Sequence, residues 1–81
     1  METKVAVLSV IVENSDSVEA LNCILHTYGD YIIGRMGLPY RPKHINLISL
    51  AVDAQEEIIN KLAENIEGLA GVSVKVVTSN I

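Results

Sequence analysis

Cys23 and His26 stand three residues apart, a spacing that a helix turns to one side. A thiol and an imidazole placed so can ligate a soft metal. Two ligands are too few for a closed site, and no third follows nearby in the sequence. The pair reads equally as a surface thiol beside a surface histidine, or as a subunit contact. A second group gathers in "GRMGLPYRPKH", Gly34 to His44. Arg35, Arg41, Lys43 and His44 could hold an acidic group there, carried by a small effector or a partner protein. The same charges also suit an edge strand protected against pairing with a neighbour. Gly34 and Gly37 would let a ligand or another subunit approach the backbone, or would mark a bulge. Pro39 and Pro42 stiffen the connector in either case. Asp30, at the entry to the same segment, is a ready internal partner for Arg35.

The elements that must carry these residues follow from periodicity. Val5 to Val12, "VAVLSVIV", is a β-branched run suited to a central strand. In "ENSDSVE", Asp16 and Glu19 form a capping box, so a helix is expected near residues 17–28. Val18, Leu21, Leu25 and Tyr28 form its apolar stripe, and Gly29 is the expected left-handed cap. That geometry places Cys23 and His26 opposite the Leu21/Leu25 stripe. "YIIGRMG" is a second strand, "LPYRPK" a connector and "HINLISLAVD" a third strand. Asp53 and Glu56 form a second capping box for a helix near 54–67, with Ile59, Leu62 and Ile66 as its stripe, Ile58 beside it and Gly68 at its end. Val72, Val74 and Val76 alternate in a fourth strand.

The order is β-α-β-β-α-β. A short connector makes strands two and three an antiparallel hairpin, and right-handed crossovers place both helices on one face of a four-stranded antiparallel sheet. That is an α+β, ferredoxin-like βαββαβ sandwich, with strands one and three central, filling residues 1–81 as a single domain. Strand one points Val5, Val7 and Ile11 one way and Ala6, Leu8, Val10 and Val12 the other. Strand three divides Ile45 and Leu47 from Ile48, Leu50 and Val52. Whichever sets face the helices, aliphatic side chains remain on the open face, so a homodimer or higher homo-oligomer is expected.

Composition narrows the function. The chain has 81 residues, 49% of them hydrophobic, with neither Phe nor Trp. Its core is therefore aliphatic, and a mean hydropathy of +0.35 leaves a surplus to hide against a ligand or copies of itself. Six basic against ten acidic residues give a net charge of −4, which argues against autonomous nucleic-acid binding and against an anionic membrane surface. The single cysteine excludes an internal disulfide and fits a cytoplasmic location. The apolar runs fall well short of the ~20 residues of a membrane span. No serine stands with a histidine in a recognisable catalytic motif, no glycine-rich phosphate cradle is present, and no cofactor is expected. Acylphosphatases share this topology but carry an arginine in a phosphate-binding loop after strand one, where "ENSDSVE" is acidic. RNA-binding domains of this topology need exposed aromatics on the sheet. Here Tyr28 is expected in a helix and Tyr40 in a loop. A small hydrolase is thus the weaker alternative to a non-enzymatic regulatory or effector-binding domain.

"YGDYIIGRMGLPY", an apolar strand, and then "LAGVSVKVV" resemble the family named for regulation of the iron-only hydrogenase system. The likeness covers nearly the whole chain. It implies a small regulatory protein related in fold to ACT domains and to the C-terminal sensing domain of the nickel-responsive repressor, which are oligomeric and bind small effectors or metal. The loop "ENSDS" lacks the glycine turn of amino-acid-binding ACT domains. Gly37, Leu38 and Pro39 occupy the place of the nickel sensor's His-x-His pair, and only His44 falls near the place of its cysteine. A metal-sensing role through Cys23 and His26, or through His44, is the alternative to effector binding.

Overall fold

In a computed structural model, which describes residues 2–80, the chain forms β1 (Lys4–Val12), α1 (Val18–Thr27), β2 (Ile32–Tyr40), β3 (Ile45–Ala54), α2 (Glu56–Glu67) and β4 (Val72–Thr78). The strands lie in the order β2-β3-β1-β4, every neighbouring pair antiparallel. The ferredoxin-like sandwich expected from the sequence is thus present, with β1 and β3 central. Burial alternates along the strands and marks the covered face. Ala6, Leu8, Val10 and Val12 of β1 and Leu50, Val52 and Ala54 of β3 are buried, in one core with Leu21 and Leu25 of α1 and Ile59, Leu62 and Ile66 of α2. Both helices therefore cover the same face. Val18, Tyr28, Ile48 and Ile58 close the margin of this core. Each fully buried Leu or Ile side chain contributes roughly 1.5–3 kcal/mol by leaving water.

Three local expectations are corrected. Asn14, not Asp16, caps the first helical segment: its Oδ1 accepts the Asp16 N–H at 3.0 Å and closes a 3₁₀ turn, Ser15–Ser17, that leads into α1. The Glu13 N–H donates to Gly71 O at 2.7 Å, and Asn14 follows as the last extended residue (φ −119°, ψ 109°), so Asp16 already lies within the turn. Asp53 caps nothing either. β3 continues to Ala54, Asp53 pairs with Val5 in the sheet, and Gln55 takes the N-cap position of α2 without a side-chain bond. Gly29 is not a left-handed cap. α1 ends on Tyr28 at φ −96°, and Gly29–Tyr31 turns the chain as a 3₁₀ segment through the Tyr31 N–H to Tyr28 O bond. The left-handed glycine is Gly71, at φ +68°, in the turn between α2 and β4.

The hairpin connector is also shorter than "LPYRPK". Leu38, Pro39 and Tyr40 belong to β2, opposite Leu47, Asn46 and Ile45, and only Arg41 to His44 form the turn. Proline is tolerated at position 39 because β2 is an edge strand. The register of β2 slips between Ile32 and Gly34, so a bulge stands beside the first of its glycines. A Cβ added at Gly34 or Gly37 would meet nothing within 4 Å, so neither is required by a close approach inside the chain.

Candidate functional site

The β1–α1 turn and the β2–β3 hairpin turn lie at the same end of the sheet, because Val12 pairs with Asn46 just as β3 begins. Between them is a groove of about 420 Å³. Glu13, Asn14 and Ser15 form one wall, and Tyr40, Arg41 and His44 form the other. His44 ends the hairpin turn at φ 56°, ψ 39°, the left-handed conformation that most side chains avoid, with its N–H donating to Arg41 O at 3.1 Å. The arrangement offers a guanidinium and an imidazole across from a carboxylate, and so can receive a ligand that carries an acidic group and a donor. Lys43 sits in the same turn, exposed, without lining the groove.

Arg35 does not join this cluster. It lies opposite Leu50, whose side chain is buried under the helices, so Arg35 projects to the helical side of the edge strand. Six residues of strand separate it from Arg41, roughly 20 Å. Its Nη2 donates to Asn22 Oδ1 of α1 at 3.4 Å. The pairing that Asp30 offered is not made: Lys4 and Glu56 form the ion pair among the described residues. Cys23 and His26 both lie on the exposed face of α1, as the periodicity requires, along a shallow groove with Val18 and Asn22. Among the described residues no three His, Cys, Asp or Glu side chains approach closely enough to hold a metal ion.

The largest feature is the sheet face that the helices leave open. Rows Gly34–Ala51–Val7–Val77, Met36–Ser49–Ser9–Lys75 and Leu38–Leu47–Ile11–Ser73 cross it from β2 to β4. Met36 is 71% exposed, Val77 70% and Leu38 57%, values unusual for side chains of this size in a finished surface. Tyr40 belongs to the same face, opposite Ile45, rather than to a loop. Sequence reasoning missed Glu13, Asn14 and Tyr40 as groove residues. The available signal was the pairing of β1 with β3, which brings the end of one strand beside the start of the other. No described helix is long and apolar enough to cross a membrane.

A model of the family described as "Iron-only hydrogenase system regulator, putative" (TM1266-like) matches residues 4–76. No curated protein matches the chain. Among solved structures, the uncharacterized protein TM1266 of Thermotoga maritima superposes with a TM-score of 0.91 at 26% identity, over 95% of this chain and 98% of that one. A formyltetrahydrofolate deformylase of Pseudomonas putida KT2440 gives 0.68 at 13% identity, over 95% of this chain and 29% of the enzyme. CPII of Thiomonas intermedia K12, bound to ADP, AMP and acetate, gives 0.50 at 20% identity over 100% and 94%. The last two likenesses are of fold.

Proposed function

This chain belongs to the TM1266-like family, and from that premise we propose that it works as a small, non-catalytic regulatory module whose copies assemble through the open face of the sheet. The family's description points that regulation at the iron-only hydrogenase system. The observation that carries the assembly is the set of exposed apolar side chains on that face, Val5, Val7 and Ile11 of β1, Met36 and Leu38 of β2 and Val77 of β4. Four strands about 4.8 Å apart and about nine residues long make a face of roughly 19 by 30 Å, so two faces in contact remove on the order of 1,200 Å² from water. That area reaches the lower end of stable protein interfaces. The face carries Lys75 and Asp53, one charge of each sign, so a second copy meets no net repulsion. Pairing through the β2 edge is less favoured, because Pro39 and the bulge at Ile32/Gly34 interrupt its ladder. Light scattering at micromolar concentration should give at least twice the 8.8 kDa chain mass. Met36→Glu with Leu38→Glu should give a folded monomer. A wild-type monomer under those conditions refutes the assembly.

The hairpin groove supports effector binding as the regulatory input. Arg41 and His44 face Glu13 across it, and the fold neighbour CPII holds nucleotides and acetate. Mass spectrometry of small molecules retained by natively purified protein tests this, and retention unaltered in Arg41→Ala with His44→Ala counts against it. Metal analysis of protein prepared without a histidine tag tests the sensing alternative through Cys23, His26 or His44.

A further inference from the structure

A third groove, of about 370 Å³, runs between α1 and the edge strand β2, away from the hairpin groove and the open face and sharing Asn22 and His26 with the groove on the outer face of α1. Leu25 and Ile32 are its apolar lining, Asn22, His26 and Arg35 its polar side chains, and Gly29 closes one end. Its charge distribution sets it apart in a chain of net charge −4. The hairpin groove includes Glu13, and the groove on the outer face of α1 includes Glu19. The Arg35 groove includes no acidic side chain. Arg35 reaches it from the helical side of β2 with a single long hydrogen bond to Asn22 Oδ1, at 3.4 Å, and with no carboxylate partner among the described residues. A guanidinium so placed keeps most of its five donors for something else.

We propose that this groove binds a small organic anion, its carboxylate or phosphate group held by Arg35 and His26 and its apolar part laid over the half-buried Ile32. Asn22 can turn its amide N–H toward the same oxygen atoms once Arg35 takes the ligand. One effect opposes binding: the groove flanks the last turns of α1, whose C-terminal end weakly repels an anion. A charge-assisted bond to a guanidinium is stronger than that repulsion, and a bidentate grip forms two, so Arg35 prevails.

The experiment is an amide chemical-shift titration of the ¹⁵N-labelled full chain with inorganic phosphate and, separately, with butyrate. Sodium chloride at matched ionic strength is the control. Saturable shifts should centre on Asn22, His26, Gly29, Ile32 and Arg35. Tighter binding of butyrate than of phosphate assigns the site to carboxylates with an apolar tail, and the reverse order assigns it to phosphate groups. Arg35→Gln should weaken binding by at least about tenfold, the equivalent of losing one charge-assisted bond. Arg35→Lys, which keeps the charge and loses the fork, should also weaken it. Lys61→Ala, at an exposed basic residue of α2 outside this groove, should leave these shifts unchanged. The proposal is overturned by shifts that chloride reproduces, by shifts centred on Arg41 and His44, by binding that survives Arg35→Gln, or by no saturable shift with either probe in the millimolar range. The assembly through the open face is read separately, by mass, so either result stands without the other.

Discussion

Gly71 occupies the turn before β4 at φ +68°, and a Cβ built there would lie 2.7 Å from Asn14 Cβ and 3.1 Å from Asn14 N. Gly71→Ala therefore meets two separate penalties. The left-handed backbone costs an alanine roughly 1–2 kcal/mol, of which about 0.4–1 is recovered because the unfolded chain becomes stiffer. The contact is too close to keep, so the β1–α1 and α2–β4 turns must move apart, which typically costs about 1–3 kcal/mol. Parting them also stretches the 2.7 Å bond from the Glu13 N–H to Gly71 O. The expected loss is about 3 kcal/mol, or roughly 10–25 °C in Tm for a domain of this size. Urea unfolding measures it, at one fixed protein concentration because assembly would shift the midpoint. Asn14→Gly supplies the internal check. It removes the Cβ that is struck, and glycine in place of asparagine at an N-cap costs only a few tenths of a kcal/mol. The double variant should recover about 1 kcal/mol relative to the sum of the single changes. Additivity within about 0.5 kcal/mol, or a Gly71→Ala loss below about 1 kcal/mol, refutes the contact as the reason for glycine here.

Ser17, 7% exposed, donates from Oγ to Ala70 O at 2.6 Å, and Ser17→Ala should cost about 1–2 kcal/mol by leaving that carbonyl without its partner. Leu8→Ala, at a position with no exposed surface, should cost about 2–5 kcal/mol in urea unfolding. Its neighbour Val7, 41% exposed, should lose far less stability on the same change and should instead weaken assembly measured by sedimentation. Tyr28→Phe removes the bond that its hydroxyl accepts from Asn65 Nδ2, and being exposed that bond should contribute no more than about 1 kcal/mol.

The fold was legible because each strand carries its period in aliphatic side chains and each helix its stripe. Leu21 and Leu25, and Ile59, Leu62 and Ile66, are buried where the spacing placed them. Caps were not legible. Asp16 and Asp53 satisfied the pattern of a capping box, yet long-range pairing decided where the extended backbone ends, at Asn14 and Gln55. The side of the sheet to be buried was undetermined for a related reason. β1 is aliphatic on both faces, and only the attachment of the helices breaks the symmetry. The basic residues near the hairpin looked like one group because they are near in sequence. An extended strand carries Arg35 roughly 20 Å from Arg41 and turns it to the opposite face from Met36 and Leu38. The grooves are tertiary objects: Glu13 and His44 meet only because β1 and β3 are antiparallel neighbours.

The position of β1 between β3 and β4 also sets an order of assembly in time. β2 and β3 are joined by only the four residues Arg41 to His44, so their ladder can close within about 1–10 μs of collapse. β1 has no such partner nearby. Its ladder with β4 joins Ala6 to Thr78 and so waits for closure of nearly the entire chain. This is a topology of high contact order, in which folding is slow relative to helical bundles of equal size. During synthesis the consequence is sharper. β1, the most aliphatic strand, leaves the ribosome ahead of both its partners, and it stays unpaired on at least one edge until β4 has emerged. Destabilising β4, which pairs last, should therefore lengthen the life of a β1 able to pair with other chains, and show as aggregation during expression before it shows as a lowered Tm.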